Sequence, residues 1–174
     1  AEIFGISIFF FGIFLFVSLF TYSPNDPNFI FPENTQINNI FGFQGSYLSD
    51  LFFQSIGLLS YFVSITYIIT GLNIFRVKEF FLFIENTFFI VLYILAGSLF
   101  LANFYSKTFT LYINGNGGFV GNYLNKSFLG NIIQINETIS FYLLIFIGFF
   151  LFLVSINFHP LKFFEFIKKL VDTF

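Results

Sequence analysis

The stretch IFGISIFFFGIFLFVSLF, Ile3 to Phe20, decides the fold class. It is Phe, Ile, Leu and Val, interrupted only by Gly5, Ser7, Gly12 and Ser18, and it holds no charge. A run of about 18 apolar residues is long enough to cross a bilayer as a helix. Roughly fourteen strongly apolar residues at about −0.3 to −0.6 kcal/mol each favour insertion by several kcal/mol. A secretory signal would need a basic leading region and a small-x-small cleavage site. Neither is present, so the reading is a retained membrane helix.

The rest of the chain agrees with that start. Of 174 residues, 57% are hydrophobic and 9% charged. A soluble domain carries about 25% charged residues, and this chain could not cover a watery surface with polar groups. The net charge of −2 gives no basic face for nucleic acid. The absence of Cys excludes disulfides and thiolate metal sites. Phe contributes 35 residues beside abundant Ile and Asn, a bias we read as that of a genome poor in G and C.

Three further runs have the length and polarity of spans, about residues 49–75, 83–104 and 138–158, with the first at about 3–22. The expected fold is therefore an all-α membrane protein, a single domain over 1–174 with four transmembrane helices. Loops are expected at about 23–48 and 105–137, a charged turn at 76–82 and a tail at 160–174. Asp50 is expected in the first turn of the second span, where a helix dipole favours a carboxylate. Ser60–Ser64, with Gly57 before them, and Ser98–Ala102 are small pairs that allow close helix approach. Glu85 and Asn86 are expected to face headgroups or a neighbouring helix, with Glu85 near Arg76 or Lys78.

Two loops carry the same phrase, G-F-x-G-x-Y-L. It runs Gly42 to Leu48 and again Gly118 to Leu124. Each copy stands between a polar stretch and an apolar run, so the copies read as equivalent points in two tandem membrane hairpins. The first copy is expected to lead straight into its span. The second follows Asn114-Gly115-Asn116-Gly117-Gly118, a turn signal. From there Phe119, Val120, Tyr123, Leu124, Phe128 and Leu129 recur at helical spacing, with Asn122, Asn125 and Lys126 opposite. That predicts a short amphipathic helix in the membrane interface. Tyr47 and Tyr123 fit an aromatic belt. After His159-Pro160, Phe163, Phe164, Ile167, Leu170, Val171 and Phe174 share one face, with Lys162, Glu165, Lys168, Lys169 and Asp172 on the other. That predicts a second, juxtamembrane amphipathic helix.

Cation placement sets orientation. Arg76, Lys78, Lys162, Lys168 and Lys169 lie on one side, and Lys107 and Lys126 on the other. Four spans then put both termini in the cytoplasm and both G-F-x-G-x-Y-L copies outside.

Catalytic constellations are missing. Gly115 to Gly118 lacks the Lys-Ser/Thr of a phosphate loop and follows a membrane helix, not a strand. His159 has no His or Cys companion for a metal. No acid–base pair falls in a helix interior, which argues against a membrane enzyme. A small transporter or channel subunit is the main rival to an anchor. It would need polar groups along a path through the helices, and Glu85 and Asp50 are the acidic candidates.

Three stretches resemble the four-helix membrane domain of the FtsK/SpoIIIE-type bacterial cell-division DNA translocases. Leu19 to Pro27 is similar to the family's S/T-Y-x-P-x-D-P phrase, through Ser23, Pro24, Asp26 and Pro27. Asn39 to Gly57 has Gly42, Gly45, Leu48, Asp50, Phe52, Phe53 and Gly57 at family-like positions. Gly117-Gly118-Phe119-Val120-Gly121 is similar to its second-loop G-G-x-x-G, with Tyr123 just beyond. The Phe-heavy spans depart from the Leu, Ala and Val of typical members. The resemblance implies an inner-membrane anchor that targets the septum, contacts other division proteins and serves a hexameric, ATP-driven motor on double-stranded DNA. It places that motor, with its ATP and Mg, outside residues 1–174. No cofactor and no direct nucleic-acid contact are expected of these residues.

Overall fold

The computed structural model describes residues 1–27, 36–106 and 114–160. Seven helices form among them: α1 (Glu2–Phe20), α2 (Gly42–Ile56), α3 (Leu59–Val77), α4 (Phe81–Phe104), α5 (Gly118–Asn125), α6 (Phe128–Ile135) and α7 (Glu137–Ser155). Four of them, α1, α3, α4 and α7, are long and apolar enough to cross a membrane. At 1.5 Å per residue, the 19-residue spans are about 28 Å long, close to a bilayer core of about 30 Å. The 24-residue α4 runs several residues past its neighbours. The expected juxtamembrane helix after Pro160 lies outside the described residues, as does Lys107.

The bounds of α1, α4 and α7 fall within a few residues of those read from the sequence. The second span does not. The expected helix at 49–75 is two helices, α2 and α3, broken at Gly57. Gly57 has φ +61°, a left-handed conformation that a right-handed helix cannot continue. The Leu58 amide leaves the helical ladder and donates to the Asn116 carbonyl at 2.9 Å. Asp50 consequently lies in the middle of α2, not in the first turn of a span, and the dipole argument for it falls away. The expected single helix at 119–129 is likewise two. α5 ends at Asn125 and Ser127 caps α6, its Oγ accepting from the Leu129 amide at 3.2 Å.

Each hairpin pairs antiparallel spans, α1 with α3 and α4 with α7, and these are the most extensive contacts in the fold. Small residues bring α1 onto α3. A Cβ on Gly12 would lie 2.7 Å from the Ile68 nitrogen, and one on Gly71 would overlap the backbone of Phe9. The Ser98–Ala102 pair is used, but by α5 and not by a span: a Cβ on Gly117 would sit 2.5 Å from the Ser98 carbonyl oxygen. Where α1 to α4 meet, Leu15, Leu19, Phe53, Ile56, Leu59, Val63, Ile90 and Tyr93 form the buried core. α7 packs on one side only and buries fully just Ser155.

One end of the bundle carries α2, α5 and α6, and we call it the cap. The other carries Glu2, Arg76, Lys78, Glu79 and Pro160, and we call it the tail end. There Lys78 pairs with Glu2 at 2.7 Å. Glu85 is exposed on α4, and Lys78, one of the two cations expected near it, is engaged with Glu2 instead.

Candidate functional site: the cap and the polar seam

The cap is built on Asp26. Pro24 and Pro27 prevent the chain from continuing α1, and the Asp26 amide closes a turn onto the Ser23 carbonyl at 3.1 Å. Pro24 itself is exposed. The Asp26 carboxylate is buried and takes three donors: the Asn38 amide at 2.9 Å, Asn38 Nδ2 at 3.1 Å and the Asn39 amide at 2.9 Å. Asn39 in turn donates from Nδ2 to the Ser18 carbonyl at 2.8 Å and the Thr21 carbonyl at 3.4 Å. Those are carbonyls that the last turn of α1 leaves without helical partners. Ser46 of α2 donates to the Pro27 carbonyl at 2.8 Å. The S-P-N-D-P phrase is thus a clasp that folds the first loop over the end of α1 and docks α2 on it. Asn39 is the residue that sequence reasoning missed as a site member. A pair of Asn in a loop gives no periodic pattern, and only their neighbours in space reveal the role.

Both copies of G-F-x-G-x-Y-L build the same local structure. Gly42 and Gly118 each have φ +63° and each open a helix. Gly45 and Gly121, three residues on, face the protein: Gly45 against Asn39 and Phe41, Gly121 against Ser98 and Ala102. The aromatics lie two residues either side of that Gly, about 200° around the helix; Phe43, Phe119 and Tyr123 are exposed and Tyr47 is half-buried. Phe43 and Tyr47 stack at 6.2 Å with 28° between their planes, and Phe119 and Tyr123 at 6.2 Å with 23°. The first copy does not lead straight into its span; like the second, it makes a short cap helix first.

The two halves of the chain join at Gly57 and Gly118. A Cβ on Gly118 would lie 2.5 Å from the Gly57 nitrogen and 2.6 Å from that of Ile56. Asn116, fully buried, donates from Nδ2 to the Tyr105 carbonyl and fixes this turn. A chain of polar contacts crosses beside it. Tyr22 donates from its hydroxyl to Asp50 Oδ1 at 3.2 Å, and Gln54 Nε2 reaches the same oxygen at 3.5 Å. Asn114 Nδ2 donates to the Gln54 backbone and side-chain oxygens, both at 3.2 Å, and Asn122 Nδ2 to the Asn114 carbonyl at 2.7 Å. Asp50 therefore links the two loops instead of lining a path through the bilayer.

Toward the tail end a second set of polar groups ties α3, α4 and α7. Thr66 Oγ1 meets the Tyr93 hydroxyl at 3.3 Å and Ser155 Oγ at 3.2 Å. Asn86 Nδ2 donates to Thr70 Oγ1 at 2.8 Å and to Asn157 Oδ1 at 3.0 Å. Interhelical bonds of this type contribute about 0.6 kcal/mol each, up to about 1.7. They add polar ties to the apolar packing of α7 on α4, where Phe152 meets Tyr93 and Phe141 meets Phe100 and Phe104. Of the two surroundings the sequence allows Asn86, headgroups or a neighbouring helix, the structure gives it the helix.

Of the residues singled out in the sequence, Ser23, Asp26 and Pro27 meet in the first-loop clasp, where Gly45 packs on Asn39. Asp50, Gly117, Gly118 and Gly121 gather at the junction of the two loops. Gly42 has nothing within 4 Å of a Cβ position, so its role is its positive φ. Pro24 and Tyr123 are exposed. Among the described residues no group of three or more His, Cys, Asp or Glu is placed to hold a metal ion. The geometry is that of a membrane bundle with a hydrogen-bonded cap, and its chemistry is structural.

Comparison with curated proteins and with solved structures finds no match. A protein family described as the 4TM region of DNA translocase FtsK/SpoIIIE matches residues 1–168. That span covers all four candidate membrane helices, both G-F-x-G-x-Y-L copies and the clasp. The chain belongs to this family, the membrane-spanning region of the FtsK/SpoIIIE DNA translocases.

Proposed function

We propose that this four-span unit is the septal membrane anchor and division-protein interaction domain of an ATP-driven double-stranded DNA translocase. It would act in cell division and chromosome segregation, in the inner membrane of a bacterium. The observation that carries this reading is the family match along nearly the whole chain. The charge distribution supports the orientation. Among the described residues Arg76 and Lys78 lie at the tail end, against Lys126 alone, at the end of α5, at the cap. In this reading both termini are cytoplasmic and the cap faces outward. The second-loop helices lie in the interface, and the residues after Pro160 pass position to a motor. ATP and Mg belong to that motor, and this unit touches no nucleic acid. Outward loops meet the extracytoplasmic parts of other division proteins. Self-association, as a hexamer with the motor attached, is part of the same reading, and the nearly uncovered α7 supports it.

The test is a fluorescent fusion of residues 1–174 in dividing bacteria. The expected result is a band at mid-cell. A uniform membrane signal overturns the septal role while leaving the membrane fold untouched.

A further inference from the structure

α2, α5 and α6 hold one charged residue among them, Asp50, and it is buried. A helix surface that meets water carries roughly a quarter or more charged residues. These helices expose instead Phe43 at 51%, Phe119 at 60%, Tyr123 at 68%, Phe128 at 69%, Ile132 at 52% and Ile135 at 83%. The exposure is ordered. In both copies of the repeat the Gly at the fourth position faces protein and the Phe–Tyr pair stacks with nearly identical ring geometry; Phe43, Phe119 and Tyr123 are exposed, and Tyr47 is half-buried beside Phe43.

Depth follows from what the other face touches. Gly117 and Gly121 pack on Ser98 and Ala102, inside α4 and not beyond it. Ser98 lies six residues before the end of α4, about 9 Å along the axis. α5 is therefore held level with the last turns of a span. On the other hairpin, Tyr22 at the end of α1 packs its ring on Phe53 of α2 at 4.9 Å, which sets α2 at a corresponding level. Near the same end of the bundle the spans expose further rings, Phe20 at 75% and Tyr142 at 67%.

We propose that the outward aromatic faces of α2 and α5, with Phe128, Ile132 and Ile135 of α6, are seated in the headgroup–acyl boundary of the cap-side leaflet. The repeated G-F-x-G-x-Y-L phrase is then a lipid-anchoring device used once per hairpin. Its Gly clamps the helix to the bundle, and its aromatic pair fills the interface, where Tyr partitions by its polar tip and Phe adds apolar area. The occupant of these faces is lipid. This extends to α2, and to named side chains, the interfacial reading of the second loop given above. It does not depend on any role in division.

The chain contains no Trp, so one substitution makes a unique probe. Phe43→Trp, Phe119→Trp and Phe128→Trp would each be reconstituted in phosphatidylcholine–phosphatidylglycerol vesicles, with Phe146→Trp, exposed on α7, as a deep reference. Brominated lipids carry the quencher near the headgroup or near the chain end. The apolar face of an interfacial helix sits about 5–10 Å into the boundary. The expected result is blue-shifted emission at 43, 119 and 128, lost mostly to shallow bromines, while position 146 loses most to deep ones. Emission like that of a water-exposed indole, quenched by iodide and not by bromolipid, overturns the proposal. Shielding from both quenchers overturns it too, because a second copy would then cover the face. Either failure leaves the mid-cell test of the anchor role standing.

Discussion

Gly118 stands so close to Gly57 that a Cβ on it would fall 2.5 Å from the Gly57 nitrogen. Beside this contact the Leu58 amide donates to the Asn116 carbonyl at 2.9 Å. The two membrane hairpins are thus joined backbone to backbone at the cap, through residues with no side chain to move aside.

Gly57→Ala and Gly118→Ala should each destabilise the fold severely. Positive φ alone costs about 1–3 kcal/mol for a residue with a Cβ, and each new methyl also meets backbone atoms. Gly148→Ala is the control, because its Cβ would have no neighbour nearer than 3.9 Å. Thermal unfolding in detergent should show a large drop in Tm for the first two and little change for the third. Equal effects at all three would refute the junction.

Tyr22 and Asp50 should be energetically coupled. Hydrogen bonds to charged groups contribute about 1.5–3 kcal/mol, and the Tyr22–Asp50 contact at 3.2 Å is partly buried. In a double-mutant cycle of Tyr22→Phe and Asp50→Ala, we expect a coupling of about 1 kcal/mol or more. Additive losses would mean that the contact carries no weight.

Asn86 should matter to α7 more than Glu85 does. Asn86→Leu removes two interhelical bonds, worth together about 1–3 kcal/mol, whereas Glu85→Gln should stay within about 0.5 kcal/mol. Unfolding in mixed micelles reads the difference. Protease access at the end of α7 should rise only in the Asn86 variant. If Glu85→Gln instead abolished an ion flux in liposomes, the channel reading would return.

The Glu2–Lys78 pair should contribute little. Both side chains are more than half exposed, 52% and 67%, and exposed pairs are worth about 0–1 kcal/mol. Glu2→Gln should lower Tm marginally, and high salt should erase even that.

Orientation should survive loss of both Lys in the second loop. Lys107→Gln with Lys126→Gln leaves the tail-side cations intact. A reporter fused at the C-terminus should stay active in the cytoplasm, and activity only outside would invert the assignment of both ends.

The clasp shows where reading the chain in order succeeds and where it stops. Ser23-Pro24-Asn25-Asp26-Pro27 announces a helix end, since two prolines within five residues permit nothing else. It does not announce that Asp26 would hold Asn38 and Asn39, twelve and thirteen residues away, because hydrogen-bond partners in a loop follow no period. The glycines divide in the same way. The G-F-x-G-x-Y-L repeat is visible as a pattern, and its recurrence correctly signals equivalent structures. Gly57, by contrast, reads as one more small residue in a long apolar run. Two helix starts are also local: Ser127 caps α6, its Oγ accepting from the Leu129 amide, and Asn136 caps α7, its Oδ1 accepting from the Ile139 amide at 3.1 Å.

The sequence by itself determined that this protein is helical and membrane-spanning, how many spans it has and which spans pair. Those properties are sums over many residues, of apolar length and of loop length, and no single contact can overturn such a sum. The tertiary structure alone decided that the second apolar run breaks at Gly57, that Asp50 and Asn86 are buried links, and that the two repeats turn aromatic faces outward. Each of these depends on one atom meeting another from a distant part of the chain. A local pattern carries no record of such a meeting until the hairpins have come together.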